Sequence, residues 1–183
     1  MNEIEGLLRA YGKFVRLPWD ASLAGPQKVW FALYDPMQER RLRLRIEEFA
    51  IATRGAGHSW SEVDITDAFA QWIAQHEYRD AYFEQPEDLG LALKDFTDEV
   101  IGRLRTALTA PGVDSDTVVA VVGVASLFGL VRASEVLDKV TQFIQGRLLV
   151  FFPGQHEGSN YRLLDARDGW NYLAARITAT EEK

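Results

Sequence analysis

The chain has no cysteine, which removes disulfides, thiolate catalysis and cysteine-ligated zinc together. Histidine is nearly as scarce. His58, His76 and His156 lie in separate regions with no short metal-ligand spacing among them, and Asp80 stands where a His-Glu-x-x-His helix starting at His76 needs its second histidine. No metal centre and no cofactor are expected. A positive region followed by an apolar one is missing from Met1-Asn2-Glu3-Ile4-Glu5-Gly6, so no signal peptide is expected. The most apolar window, 113–131, is broken by Asp114, Asp116, Gly123, Ser126 and Gly129 and predicts no membrane span. These absences suit a cytoplasmic protein. Cations are also in deficit: 20 Lys plus Arg against 27 Asp plus Glu leave a formal charge of −7 over 183 residues. Phosphate neutralisation needs a local excess of positive charge, so direct DNA binding is not expected as the main role.

What the chain does have is two β-branched, apolar runs in its second half, Thr117-Val118-Val119-Ala120-Val121-Val122-Gly123-Val124 and Leu148-Leu149-Val150-Phe151-Phe152-Pro153-Gly154, separated by one amphipathic helix. Runs apolar on both faces belong to strands covered on both sides, as in parallel sheets, because a sheet with one wet face alternates apolar and polar residues. The expected fold is therefore α/β: a mostly parallel sheet of four to five strands with helices on both faces, Rossmann-like or P-loop-like without a Walker motif. No repeat, low-complexity tract or linker interrupts the chain, and residues 1–183 read as one domain.

Ile4, Leu7, Leu8, Tyr11 and Val15 share one face of an N-terminal amphipathic helix within 1–18, which Leu17-Pro18-Trp19 ends. A first strand over 28–34 runs into Asp35-Pro36-Met37-Gln38, a strong helix start with Asp as cap and Pro at the first helical position. The helix from Pro36 is expected to reach about Arg54, with Leu42, Ile46, Phe49 and Thr53 inward. A second strand over 60–65 precedes a helix carrying Phe69, Trp72, Ile73 and His76, and an acidic, aromatic connection occupies 77–88. Helices over 88–108 and 134–145 flank the buried third strand. After the fourth strand come a short extended piece at 161–164, a turn at Asp168-Gly169, a last strand over 171–177 and a fraying tail at 178–183.

In such sheets ligands bind beyond the carboxyl ends of the strands, which directs attention to 123–132 and 153–160. The first of these loops lacks Gly-Lys-Ser/Thr and Gly-x-Gly-x-x-Gly, and bulky Leu127 and Phe128 sit where amides would cradle phosphate. Its glycines suit a tight strand-to-helix connection. Asp35, Asp64, Asp67 and Glu157 follow strand ends and could form a ring of acids, although helix capping already explains Asp35 and Asp64. Ser126 has no Gly-x-Ser-x-Gly elbow, and His156 is the one histidine beside this mouth. If the mouth binds a nucleotide or phosphate, Asp35, Asp64, Gly123, Ser126, Gly154 and His156 would line it. No catalytic residue is assigned. The arginines of 39–45 spread around their helix, with Glu39 and Arg43 at i,i+4, the pattern of a solvated face.

Within 77–88, Tyr78, Tyr82 and Phe83 interleave with Glu77, Asp80, Glu84, Glu87 and Asp88. Two readings stay open: a partner-binding surface centred on Tyr78, Tyr82, Phe83 and Glu84, or a polar loop that drops its rings back on the core.

Several segments resemble one family. Val29-Trp30-Phe31-Ala32-Leu33-Tyr34-Asp35-Pro36, Glu39-Arg40-Arg41-Leu42, the run Val122-Gly123-Val124-Ala125-Ser126-Leu127-Phe128-Gly129-Leu130-Val131-Arg132-Ala133-Ser134-Glu135-Val136-Leu137, Leu149-Val150-Phe151-Phe152-Pro153-Gly154 and Tyr161-Arg162-Leu163-Leu164 are similar to the BrxB family of BREX, the bacteriophage exclusion system. The resemblance implies a small cytoplasmic component of a multiprotein anti-phage system, encoded beside a PglZ-type phosphatase-like protein, a BrxC-type ATPase and a PglX-type DNA methyltransferase. It implies no established activity and carries over no catalytic residue. The expected role is a non-catalytic adaptor binding another BREX component, first the PglZ-like protein and then the BrxC-type ATPase. The alternative is a nucleotide- or phosphate-binding protein, with or without enzymatic activity, using the strand-end mouth.

Overall fold

The computed structural model describes residues 2–166 and 169–180. Asp168 of the expected turn and the last three residues of the expected tail lie outside them. Five parallel strands run in the order β2 (Ser59–Asp64), β3 (Thr117–Val122), β4 (Arg147–Glu157), β1 (Val29–Tyr34) and β7 (Ala175–Ile177). The distal half of β4 continues past the parallel sheet and pairs antiparallel with β5 (Asn160–Leu163), which pairs with β6 (Trp170–Asn171). The fold is thus the expected α/β sheet with an antiparallel arm that the sequence reading did not contain.

Helices cover both faces. Side chains alternate along a strand, so Phe31, Val119, Val121, Val150 and Phe152 point to one face and Trp30, Ala32, Val118, Ala120, Leu149 and Phe151 to the other. Helices α4 (Ala68–Gln75), α6 (Leu89–Leu108) and α7 (Ala133–Val140) close the first face, with Phe96, Val100, Leu104, Leu108, Val136 and Val140 buried. The second is closed by α1 (Glu3–Phe14) and by α2 (Glu39–Arg43) and α3 (Ile46–Gly55) through Ile4, Leu7, Tyr11, Leu42 and Phe49. Two cores explain why the central strands are apolar throughout. Edge strand β2 is wetter, with Ser59, Glu62 and Asp64 exposed.

Three expectations need correction. The helix expected over 36–54 breaks at Leu44-Arg45, where Arg45 leaves helical geometry at φ −119°, ψ 7°. The break turns Leu44 out to solvent and lets the Arg45 guanidinium bind both Glu48 and Glu5 of α1. The expected last strand divides into β6 and β7, because its first residues pair with β5 while Tyr172 turns inward against Phe31 and the chain re-enters the sheet beside β1. The connection over 77–88 contains a short helix, α5 (Arg79–Glu84), and a turn at Pro86–Asp88.

Candidate functional site

The structure gives Asp35, Asp64, Gly123 and Ser126 structural roles at the strand ends. Asp35 caps the turn after β1, its carboxylate accepting from the Met37 amide at 2.9 Å, while its own amide donates to Glu3 of α1 at 3.0 Å. Asp64 accepts from the Thr66 amide at 2.9 Å and from the Thr66 hydroxyl, and Arg43 reaches the same two residues, donating to Asp64 at 3.3 Å and to Thr66 at 2.7 Å. Arg43 also donates to Glu39, whose second oxygen accepts from the Tyr34 hydroxyl. A chain of polar contacts therefore ties the ends of β1 and β2 together. Gly123 adopts φ +90° and presses against Thr66, and the Ser126 hydroxyl donates inward to the carbonyls of Gly123 and Ile65.

Gly154 and His156 lie beyond the parallel pairing of β4 with β1, on the β4–β5 arm opposite Leu163 and Tyr161. A side chain at Gly154 would meet the Arg162 carbonyl. Thus Asp64, Gly123 and Ser126 converge near Thr66 and Ile65, while Asp35 faces α1 and the β4 pair belongs to the hairpin. His58 is at the opposite end of the sheet, stacked on Trp19 at 3.7 Å and hydrogen-bonded to Asp116.

Three arginines of the segment after β1 are similarly engaged. Arg43 pairs with Glu39 and Asp64, Arg45 with Glu48 and Glu5, and Arg41 donates to Gln38 at 2.7 Å. These contacts shift the carboxylates. Burial works to raise the Asp64 pKa, but the Thr66 hydroxyl and amide and then Arg43 outweigh it and hold it below its ordinary 3.8. The Asn2 amide and Arg45 hold Glu5 below 4.5, and Arg45 does the same for Glu48. A depressed folded-state pKa gives stability that is complete above the unfolded value and is lost as pH falls through the folded one. The contribution of these carboxylates to stability is therefore expected to be flat above about pH 5 and to decline below it. Arg45→Met should make that acid limb shallower in urea denaturation series, and an unchanged slope would remove these pairs as its cause.

A concavity between α4 and α6 forms a groove of about 560 Å³ lined by Gln71, Trp72, Gln75, His76, Tyr78, Tyr82, Leu91, Ala92, Asp95 and other residues of 71–103. Trp72 is held from below by Phe69 and Phe96, with ring centroids at 5.9 and 5.3 Å. His76 packs edge-on to Trp72 at 5.0 Å and to Tyr82 at 5.2 Å, and its Nδ1 accepts from the Tyr78 amide at 3.2 Å. At the groove Tyr78 is 58% exposed and Leu91 92%, and Phe83 on α5 is 67% exposed. Glu84 is exposed next to Phe83. Of the four residues of the expected partner surface, Tyr78 and Tyr82 line the groove, and Phe83 and Glu84 are exposed on the same short helix, with Tyr82 alone partly packed back.

Sequence reasoning missed Leu91, Asp95 and Arg103, which complete this groove from α6. A signal was present: Leu91 lies off the face defined by Phe96, Val100, Leu104 and Leu108, so an apolar residue occupies a position where the helix pattern calls for a polar one. The model of the family described as BREX protein BrxB matches residues 61–177. The chain belongs to the BrxB family. As a BrxB-family protein it is a component of the BREX phage-defence system. The matched span runs from within β2 through β7 and contains the whole α4–α6 groove. Comparison with curated proteins and with solved structures found no match. No helix among the described residues of this BrxB chain is long and apolar enough to cross a membrane, and no cluster of three metal-binding side chains occurs among them.

Proposed function

We propose that this BrxB-family chain is a single-domain, non-catalytic adaptor that docks another BREX component, the PglZ-like protein first and the BrxC-type ATPase second, through the α4–α6 groove. The observation that carries this reading is the exposure of Tyr78 and Leu91 at one groove, with exposed Phe83 on the adjoining α5, since large apolar side chains clustered on a surface are the usual anchors of an interface. The internal engagement of Asp64, Thr66, Gly123 and Ser126 gives less support to a nucleotide site at the strand ends.

The test is size-exclusion chromatography with light scattering of the chain mixed with each purified component at micromolar concentration. Co-elution with one of them is expected, and failure with all of them defeats the reading. Replacing Tyr78 and Phe83 together with Ala should weaken that complex by at least about 2 kcal/mol, roughly thirtyfold, because truncating interface anchors has effects of this size. The isolated protein should lose less than about 0.5 kcal/mol, as expected for exposed positions. A large stability loss with unchanged affinity would mean that these rings serve the fold.

A further inference from the structure

Building on the docking role, we infer that the segment received by the α4–α6 groove is cationic and arginine-bearing, and that a guanidinium lies against the Trp72–His76–Tyr82 rings between Glu77 and Asp95. Charge is the first ground. Between Glu77 and Arg103 there are eight carboxylates and three cations, so this stretch holds most of the chain's formal charge of −7. Within the groove, the cation Arg103 is already satisfied, donating to Glu99 at 2.9 Å and to Gln71 at 2.7 Å. Arg79, beside it, donates to the Ala74 carbonyl at 2.8 Å and approaches Asp80 at 3.5 Å. No ion pair among the described residues engages Glu77 or Asp95, both of which line the groove.

Ring geometry is the second ground. Trp72, His76 and Tyr82 form a continuous row with centroid separations of 5.0 and 5.2 Å, fixed by the Nδ1 contact of His76 and by the packing of Trp72 on Phe96. A flat guanidinium gains from both components, stacking on an aromatic face while its N–H groups reach flanking carboxylates, whereas an ammonium is a more strongly hydrated point charge. A phosphate-bearing or acidic segment would be repelled by the same carboxylates.

The probes are N-acetylated, C-amidated hexa-arginine, hexa-lysine and hexa-glutamate, titrated calorimetrically into the full chain at low and high salt. Hexa-arginine is expected to bind at low salt, at least about threefold more tightly than hexa-lysine, to weaken with salt, and to leave hexa-glutamate unbound. Glu77→Gln with Asp95→Asn should weaken hexa-arginine about tenfold, while the charge-matched Glu62→Gln with Glu157→Gln, both remote from the groove, should change it by less than about twofold. Tyr82→Leu should erase the preference for arginine over lysine.

A loss below about threefold in the groove variant, or an equal loss in the control, overturns the inference and leaves generic charge attraction. Preferential binding of hexa-glutamate would point to an anionic partner and overturn it as well. The outcome is separable from the docking reading. Co-elution with a BREX component alongside indifferent peptides defeats the cationic partner alone, whereas hexa-arginine binding without any co-eluting component defeats the docking reading and leaves the cation site standing.

Discussion

Phe31→Ala is expected to destabilise the protein by about 4 kcal/mol, the middle of the range for deleting a fully buried aromatic side chain. Phe31 is completely buried in the middle of β1 and contacts four other rings. Phe152 of β4 stacks on it at 5.0 Å and Tyr161 of β5 meets it edge-on at 4.6 Å, with Tyr172 at 5.7 Å and Trp170 at 6.4 Å. Those contacts join the parallel sheet to the antiparallel arm, so the loss should be felt at a distance from β1. Urea denaturation gives the magnitude. Amide hydrogen exchange across β5 and β6 should accelerate more than across β3, and Phe31→Leu should cost only about 1–2 kcal/mol because most of the volume is kept. A cost for Phe31→Ala below about 2 kcal/mol would mean that the rings close over the gap and do not anchor the arm.

Gly123→Ala is expected to cost about 3 kcal/mol or more. Two terms combine. A left-handed backbone with a Cβ costs roughly 1–2 kcal/mol, and overpacking adds roughly 1–3. The added carbon would lie 2.7 Å from the Thr66 amide nitrogen and closer still to the Thr66 hydroxyl. Moving Thr66 would also disturb its bonds with Asp64 and Arg43. The molecule supplies its own control. Gly112 has nearly the same φ, +88°, with nothing within 4 Å of the position its Cβ would take. Gly112→Ala should therefore show the backbone cost alone, and the difference between the two variants measures the crowding at Thr66. Equal effects in thermal or urea unfolding would remove the crowding argument.

The parts of the fold readable in the sequence are those where one local signal dictates the answer. Valine and phenylalanine runs at 117–122 and 148–152 require cover on both faces, and Phe96, Val100, Leu104 and Leu108 mark an inward helical stripe; all are buried as their spacing predicts. The helix break at Arg45 was hidden because neither proline nor glycine marks it; it is held by charge pairs with Glu48 and with Glu5, forty residues away. The antiparallel arm was hidden because Pro153-Gly154 reads as a strand end, yet the β4 backbone continues through both residues to Glu157. At the groove, the aromatic cluster at 78–83 was legible from composition. Its second wall on α6 depends on how two helices pack, which one sequence does not state.

The position of β1 has a consequence for synthesis. Its two neighbours in the sheet are β4 and β7, whose residues begin at Arg147 and Ala175, whereas β1 itself is complete at Tyr34. More than a hundred residues must therefore be translated before β1 can find its first permanent partner, on the order of ten seconds at usual elongation rates. During that interval Val29-Trp30-Phe31-Ala32-Leu33-Tyr34 is a six-residue segment with no charge, no proline and no glycine, the composition most prone to pair with a strand from another chain. Early cover for its Trp30 face is available from α1, which precedes it closely, and from α2 and α3, which follow it and join the same buried cluster. The same residues that make the centre of the finished sheet its driest part make the nascent chain depend on prompt helix docking or on a chaperone.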